Sequence, residues 1–157
     1  YLTHDQRKFR IRRHWLNMLT PLSLAVWWCD DGSLIGNTRK GVICTDGFPQ
    51  DEVTLLVHYL KVVWGVSAHV GAAGTQGPRA SYYRVWIRST EELQKFLRII
   101  LPYIPVASML PKVLLLYKDS QLQQRWISEV CRATKFSREI IEQAAREKRL
   151  KWRQFRE

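Results

Sequence analysis

The chain has 157 residues, enough for one folded unit with a hydrophobic core, and its 46% hydrophobic and 25% charged residues argue against intrinsic disorder. Its 25 lysines and arginines outnumber 14 aspartates and glutamates, which gives a formal net charge of +11. Positive charge spread over a whole chain favours a nucleic-acid partner over a membrane surface, because membrane-surface proteins usually concentrate it on one amphipathic segment.

The sequence offers no support for a membrane span or for cysteine chemistry. It contains no stretch of about 18 uninterrupted apolar residues, and its basic N-terminus lacks a following apolar signal core. Cys29, Cys44 and Cys131 show no CxxC spacing, so neither a disulfide framework nor a zinc site is indicated. We therefore expect an intracellular protein, in a prokaryotic cytoplasm, a mitochondrion or a chloroplast. The chain begins at Tyr1 without methionine, so a companion domain in a longer protein stays open.

An apolar helix is the first distinct element. Thr20 and Pro21 suit the N-cap and first helical position, and the helix continues through an apolar run to Gly32. A helix without a polar face must be buried on every side, either in its own core or against another copy of itself. A short helix is also predicted in the basic segment before it, at the apolar cluster of residues 15–19.

Two hairpins alternate with two further helices along the chain. Residues 33–45 are typical of a hairpin with a basic tip, and residues 51–64 repeat apolar side chains at the helical period. Strands at 66–70 and 81–89 flank a glycine-rich loop, and another amphipathic helix begins at Thr90. The order helix, hairpin, helix, hairpin, helix predicts an α+β fold with an antiparallel sheet and helices packed on one side.

The strand at 81–89 alternates between two kinds of side chain. Tyr83, Val85 and Ile87 share one face, which we expect to join the core. The opposite face is cationic and aromatic, and it carries Tyr82, Arg84, Trp86 and Arg88.

The chain after Pro102 is predicted to be helical again, at 110–117, at 122–132 and from Ser137 to the end. In the last helix, arginines at 146, 149, 153 and 156 form a basic stripe, for which a solvated face and phosphate contact are comparable interpretations. We expect a single domain over 1–157, with its core at about residues 20–118 and a basic helical extension over 119–157.

The segment 19–33, LTPLSLAVWWCDDGS, resembles the signature of the LAGLIDADG endonucleases, in the branch whose motif is similar to TPxSLAxWxxDDG. Leu24, Ala25, Asp31 and Gly32 match the motif that names the family, and residues 26–30 depart from it. Residues 105–112, PVASMLPK, are similar to a late segment of the family that carries a lysine of the catalytic site. The resemblance implies the fold αββαββα.

The resemblance also implies an activity, that of a site-specific homing endonuclease, encoded by an intron, that cuts double-stranded DNA. Asp31 would hold the divalent metal, magnesium or manganese, with calcium binding without supporting catalysis. Asp30 would be a secondary ligand or a solvated neighbour, and Lys112 would stabilise charge near the phosphate or organise water.

One motif per chain implies a homodimer or a companion domain, because each aspartate would serve one DNA strand. We favour the dimer, with Leu24, Ala25 and Trp28 at its interface. The sheet would supply recognition, since alternate side chains of a curved antiparallel sheet can follow the major groove. The candidate DNA-binding residues are Asn37, Thr38, Arg39, Lys40, Arg79, Tyr82, Arg84, Trp86 and Arg88.

Ordinary structural roles compete with these assignments. The aspartates could form a polar helix end, although carboxylates there oppose the helix dipole. Lys112 could be a surface lysine, and Arg84 and Arg88 could belong to a solvated sheet face. Two other functions are compatible with the sequence: an intron maturase that binds intron RNA, and a non-catalytic nucleic-acid-binding protein such as a ribosome-associated one.

Overall fold

The computed structural model describes residues 10–35 and 39–154, apart from the side chain of Arg79. The helices are α1 (Arg13–Leu16), α2 (Pro21–Asp31), α3 (Gln50–Trp64), α4 (Thr90–Ile100), α5 (Ser120–Ala133) and α6 (Arg138–Gln154). The strands are β1 (Gly32–Ile35), β2 (Lys40–Ile43), β3 (His69–Ala72) and β4 (Tyr83–Ile87). Short 3₁₀ segments occur at Gly77–Ser81, Leu101–Tyr103 and Ala107–Lys112. Within the described residues, no helix has both the length and the apolar character needed to cross a bilayer.

The four strands form one antiparallel sheet in the order β1-β2-β4-β3. Helices α2, α3 and α4 contact this sheet or one another, and Val85 and Ile87 beneath them have 0% exposure. Trp86, which points to the other side of the sheet, stays partly accessible. The structure confirms the α+β fold with helices on one side of an antiparallel sheet.

Trp28 lies at the centre of the packing between α2 and its neighbours. Its side chain is fully buried, and its ring meets the ring of Phe96 edge-on at 5.5 Å between centroids. Gly41 on β2 and Gly32 leave room for this ring, since a Cβ at Gly41 would come 3.1 Å from it. A residue as large as tryptophan is therefore accommodated by two glycines, one at the end of its own helix and one on the sheet.

Helix α2 begins and ends as its sequence predicts. The hydroxyl of Thr20 accepts a hydrogen bond from the backbone N–H of Ser23 at 3.2 Å, and Pro21 occupies the first turn. The last helical residue is Asp31, and Gly32 is extended, with φ −85° and ψ 154°, so the chain passes straight from α2 into β1.

Within a single chain α2 is not buried on every side, so its burial against another copy stays a prediction. Leu22 and Val26 are 53% and 52% exposed, whereas Leu24, Ala25 and Trp28 are 0% exposed inside the core of the same chain. Side chains that are already enclosed leave no surface for a second copy, so the structure corrects the expected interface residues. The accessible apolar face of α2 is the one that carries Leu22 and Val26.

The helix predicted at residues 110–117 is also wrong. The 3₁₀ segment ends at Lys112, and residues 113–117 form a buried stretch that is neither helix nor strand. Pro111 lacks a backbone N–H and disfavours a regular helix, and Val113, Leu114 and Leu115 are each 0% exposed. A short apolar run of this kind has no period that separates a buried helix from buried extended chain.

Helices α5 and α6 pack together and cover this buried stretch. Trp126, Ile127 and Val130 of α5 and Ile141 and Ala145 of α6 are all buried. The C-terminal extension therefore shares a hydrophobic core with the residues that precede it.

Replacing the glycine at the end of α2 should destabilise the fold. A Cβ at Gly32 would lie 2.6 Å from the carbonyl oxygen of Trp28 and closer still to its ring. We expect Gly32→Ala to lower the free energy of unfolding by about 3 kcal/mol, because the rigid neighbours cannot yield. Urea denaturation measures this change. Gly47→Ala is the matched control, since a Cβ there meets nothing within 4 Å, and equal losses in the two variants would contradict the prediction.

Candidate active site and nucleic-acid interface

Asp31 lies where α2 meets the sheet, at the last helical residue. Its side chain is partly buried, and its backbone carbonyl accepts a hydrogen bond from the N–H of Cys44 at 2.9 Å. Burial raises the pKa of the Asp31 carboxyl, the charge of Asp30 raises it further, and Lys112 acts in the opposite direction. The ionised form of the Asp31 carboxyl is therefore disfavoured at this position, and a nearby cation would stabilise it.

Lys112 lies against the same end of α2. Its amine donates hydrogen bonds to the carbonyl oxygens of Cys29 at 2.5 Å and Gly32 at 3.0 Å. In return, the indole N–H of Trp28 donates to the carbonyl oxygen of Lys112 at 2.9 Å. The last carbonyls of a helix have no partners within it and carry partial negative charge, so an ammonium group is favourable there. The fold thus brings Lys112 to the residues around Asp31 across 80 positions of sequence.

The carboxylates present fit a divalent metal that is shared with other ligands. Asp31 is partly buried and Asp30 is exposed beside it. The described part of the chain holds no group of three or more histidine, cysteine or acidic side chains that could enclose a metal. Magnesium is commonly held by one or two carboxylates together with water and phosphate oxygens. Asp31 and Asp30 would therefore make up only part of such a site, which water and phosphate oxygens would have to complete.

An apolar groove of about 460 Å³ opens beside these carboxylates. Asp30 and Asp31 lie at one part of its lining, and Met18, Leu22 and Val26 contribute exposed apolar surface. These three side chains are 52% to 67% exposed. The carboxylate of Asp31 is thus bordered by a hydrophobic surface that the chain itself leaves uncovered.

The sheet face away from the helices is defined by the strand register, because paired residues point to the same side. Trp86 on β4 lies opposite Val42 on β2 and His69 on β3, and Arg84 on β4 lies opposite Gly71 on β3. Between β1 and β2, Ser33 lies opposite Val42 and Ile35 lies opposite Lys40. Ser33, Lys40 and His69 are exposed. This open face combines cationic, aromatic and hydrogen-bonding side chains, as a surface for nucleic acid requires.

Two of the predicted DNA-binding arginines differ in whether a carboxylate pairs with their guanidinium group. Arg84 makes two hydrogen bonds of 2.7 Å to the carboxylate of Asp46, and this pairing raises the pKa of Arg84. Arg88 is exposed and stacks over the ring of Trp86 at 4.9 Å, while Trp86 donates to the carbonyl of Gly71 at 3.1 Å. Arg88 can therefore reach a phosphate or base without breaking an ion pair that the structure shows, whereas Arg84 would have to share its guanidinium.

Of the other predicted DNA-binding residues, Arg39, Lys40 and Tyr82 lie in the described part of the chain. Arg39 lies over the ring of Tyr117 at 5.3 Å, and Lys40 and Tyr82 are exposed. Asn37 and Thr38 lie outside the described residues, as does the side chain of Arg79. The structure thus brings Lys40, Arg84 and Trp86 to one sheet face, with Arg88 stacked on it.

Sequence patterns alone overlooked Ser33 and His69 on the open face. Both belong to short strands whose own alternation is weak, and only their pairing with Val42 and Trp86 shows which way they point. Recognition of the two hairpins as neighbours in one sheet would have found them, because register transfers the orientation of one strand to the next.

Comparisons with known proteins agree with this geometry. The pattern of the LAGLIDADG DNA endonuclease family matches residues 1–96. Protein RecA of Mycobacterium gastri is 30% identical over 111 residues, which cover 64% of this chain and 25% of that protein. Protein RecA of Mycobacterium leprae (strain TN) is 30% identical over 111 residues, which cover 64% of this chain and 15% of that protein. The chain thus spans a quarter or less of the length of these curated relatives.

A solved structure of the homing endonuclease I-WcaI bound to its DNA recognition sequence is similar to this fold. The two superimpose with a TM-score of 0.63 at 22% sequence identity, over 74% of this chain and 50% of that one. Because the family pattern covers more than half of the sequence, and the fold carries the motif helix in the expected place, the chain belongs to the LAGLIDADG DNA endonuclease family.

Proposed function

We propose that this chain is a metal-dependent, site-specific DNA endonuclease that acts on double-stranded DNA. The observation that carries the proposal is the meeting of Asp31 and Lys112 at one helix end, beside an open cationic sheet face. Membership of the family and the similarity to a DNA-bound homing endonuclease support the same reaction class. Coding of the protein by an intron, and intron RNA as a partner, stay predictions from the family resemblance.

The proposed metal would be held by Asp31, with Asp30 beside it. Magnesium or manganese would support cleavage, and calcium would bind without cleavage. When bound, such an ion supplies charge neutralisation at the scissile phosphate and an activated water. The Asp31 carboxylate sits in a partly buried environment that raises its pKa, so a cation there relieves an existing electrostatic cost. Lys112 would add a point-like positive charge close to the phosphate.

We further propose that two copies of the chain pair through the exposed apolar face of α2. Leu22 and Val26 form this face, and together with Met18, which precedes α2, they border the groove that contains Asp31. Covering three exposed apolar side chains is favourable, since burying a large aliphatic side chain contributes roughly 1.5–3 kcal/mol. A two-fold pair would place two Asp31 carboxylates near each other, one for each DNA strand.

Asp31→Asn is expected to remove cleavage while leaving DNA binding intact. The amide cannot hold the divalent ion as a carboxylate does, so we expect the rate of DNA nicking with magnesium to fall by at least about a hundredfold. Sequence-specific nicking of a randomised DNA library measures the activity, and a filter-binding assay measures the affinity. Asp51→Asn, which removes an exposed carboxylate on α3, is the matched control and should cleave normally.

The same variant should also be slightly more stable than the wild type at neutral pH without metal. The folded state raises the pKa of Asp31, so the protonated acid is favoured and stability falls as the pH rises through that pKa. Asparagine carries no charge and escapes this loss. Thermal unfolding in the presence of a chelator should show a higher melting temperature for Asp31→Asn than for the wild type at neutral pH. This difference should shrink as the pH is lowered toward the ordinary pKa range of a carboxyl group. Undiminished cleavage by Asp31→Asn would exclude Asp31 as the residue that holds the metal, and wild-type protein that leaves DNA intact while binding structured RNA tightly would exclude the nuclease.

Val26→Glu is expected to weaken self-association without unfolding the chain. A charge on the exposed face of α2 would have to be buried between two copies, which costs several kcal/mol per ion. Sedimentation equilibrium should show a shift toward monomer, and double-strand breaks should give way to weak nicking. Val63→Glu is the matched control, because Val63 on α3 is 53% exposed and Val26 is 52% exposed. Equal effects of the two substitutions would argue against this interface.

Arg88→Ala is expected to weaken DNA binding through the loss of one cation on the open sheet face. We expect a cost of about 1 kcal/mol and a salt dependence reduced by about one phosphate contact, at low ionic strength. Binding titrations at several salt concentrations measure both quantities. Lys95→Ala on α4 removes an exposed cation that is paired with Glu92, and it should change affinity little. A larger effect of Lys95→Ala would mean that DNA does not lie on the sheet.

A further inference from the structure

In the stretch that carries Lys112, side chains from other elements donate hydrogen bonds to the backbone carbonyls. The lysine segment, defined as residues 111–117, is buried over most of its length. In the part of the chain that the structure describes, it belongs to no strand of the sheet and leaves its 3₁₀ segment at Lys112. Buried carbonyl groups nevertheless need hydrogen-bond donors, because an unsatisfied one costs about 1–3 kcal/mol. The donors must therefore come from elsewhere in the fold.

Side chains of other elements provide these donors. Trp28 of α2 donates to the carbonyl of Lys112. The remaining donors come from α5 and α6, in bonds of 2.6–3.0 Å: Trp126 to Val113, Gln123 to Leu115, Lys148 to Pro111 and Leu114, and Arg149 to Tyr117. The C-terminal helices thus hold the lysine segment by its backbone, nearly residue by residue.

Among the donors of α5 and α6, Lys148 is the one that bonds backbone carbonyls on both sides of Lys112. Its amine donates to the carbonyl of Pro111 at 2.6 Å and to that of Leu114 at 2.7 Å. These carbonyls precede and follow Lys112, so one side chain holds the backbone on both sides of it. Its removal from water lowers the pKa of Lys148 to about 7. A buried amine needs such acceptors.

We propose that Lys148 is a positioning residue for the active site. Through the carbonyls of Pro111 and Leu114, it holds the lysine segment so that the amine of Lys112 meets the end of α2 beside Asp31. The proposal rests on the role proposed above for Lys112 in cleavage. In this arrangement α6 contributes to the reaction from the protein interior, although its sequence predicts only a basic stripe that is either solvated or in contact with phosphate.

A second cation of α6, Arg146, allows the positioning role of Lys148 to be distinguished from a general attraction of positive charge to DNA. Arg146 is exposed and donates to Gln143 of its own helix, whereas Lys148 and Arg149 turn inward to the lysine segment. Removing Arg146 changes the net charge by one unit and leaves the lysine segment untouched. Arg146→Met is therefore the matched control for Lys148→Met.

Two measurements on the full chain test the proposal. In the first, an acetylating reagent labels the protein and mass spectrometry quantifies the reaction at Lys112, with the exposed Lys118 as internal reference. Lys148→Met should speed the labelling of Lys112 by about threefold or more, because local opening releases its amine. Arg146→Met should leave the ratio unchanged.

The second measurement is single-turnover cleavage, at saturating protein with magnesium, of a site recovered from the randomised DNA library. Lys148→Met should lower the rate constant about tenfold or more, since a displaced catalytic group loses its alignment, with the Kd for DNA changed by less than about twofold. In a Lys112→Met background, Lys148→Met should cause no further loss, because there is no amine left to position. A merely structural lysine would reduce the rate in both backgrounds.

The outcomes distinguish this inference from the proposed function. If the wild type cleaves no DNA, the proposed function fails, while the labelling of Lys112 still decides whether Lys148 holds it. If the labelling ratio is the same in wild type and Lys148→Met, the positioning role is overturned whatever the cleavage result. Equal losses from Lys148→Met with and without Lys112 would overturn it as well.

Discussion

The contact between Lys112 and the end of α2 is the interaction on which the rest of the site depends. Three hydrogen bonds form it, two from the lysine amine to helix carbonyls and one from the indole of Trp28 back to the lysine carbonyl. The carbonyls of a helix end need partners and attract positive charge. One contact therefore completes the helix, fixes the chain path after α4, and places a cation next to Asp31.

This contact also explains why the C-terminal helices belong to the same packed unit. Trp28 and Lys112 can meet only if the buried chain that follows Lys112 has its own backbone satisfied, and α5 and α6 supply those donors. The interior donors include Lys148 and Arg149, so part of the large positive charge of the chain stabilises backbone carbonyls. Net charge is consequently an incomplete guide to the surface that meets a polyanion.

The remaining cations and the exposed apolar surface divide between two other tasks. Arg88 and Lys40 belong to the open side of the sheet, where Trp86 provides a stacking platform for the arginine. Leu22 and Val26 remain exposed, on the side of α2 that faces away from its buried side chains. Three features thus meet near the start of β1, where the chain passes from helix to sheet. They are the Asp31 carboxylate, the cationic sheet face and the uncovered apolar face of α2.

The sequence by itself determined the fold class, the limits of α2, the two-faced strand β4 and the candidates Asp31 and Lys112, because each depends on local signals: a cap, a period or a motif. Only the tertiary structure decided which apolar side of α2 is enclosed, since Leu24 and Val26 are equally hydrophobic in sequence but differ in their neighbours. It also decided that residues 113–117 are a buried, non-helical stretch and that Lys148 points inward, because the donors for the carbonyls of this segment are remote in sequence. Long-range hydrogen bonding leaves no periodic trace in the chain.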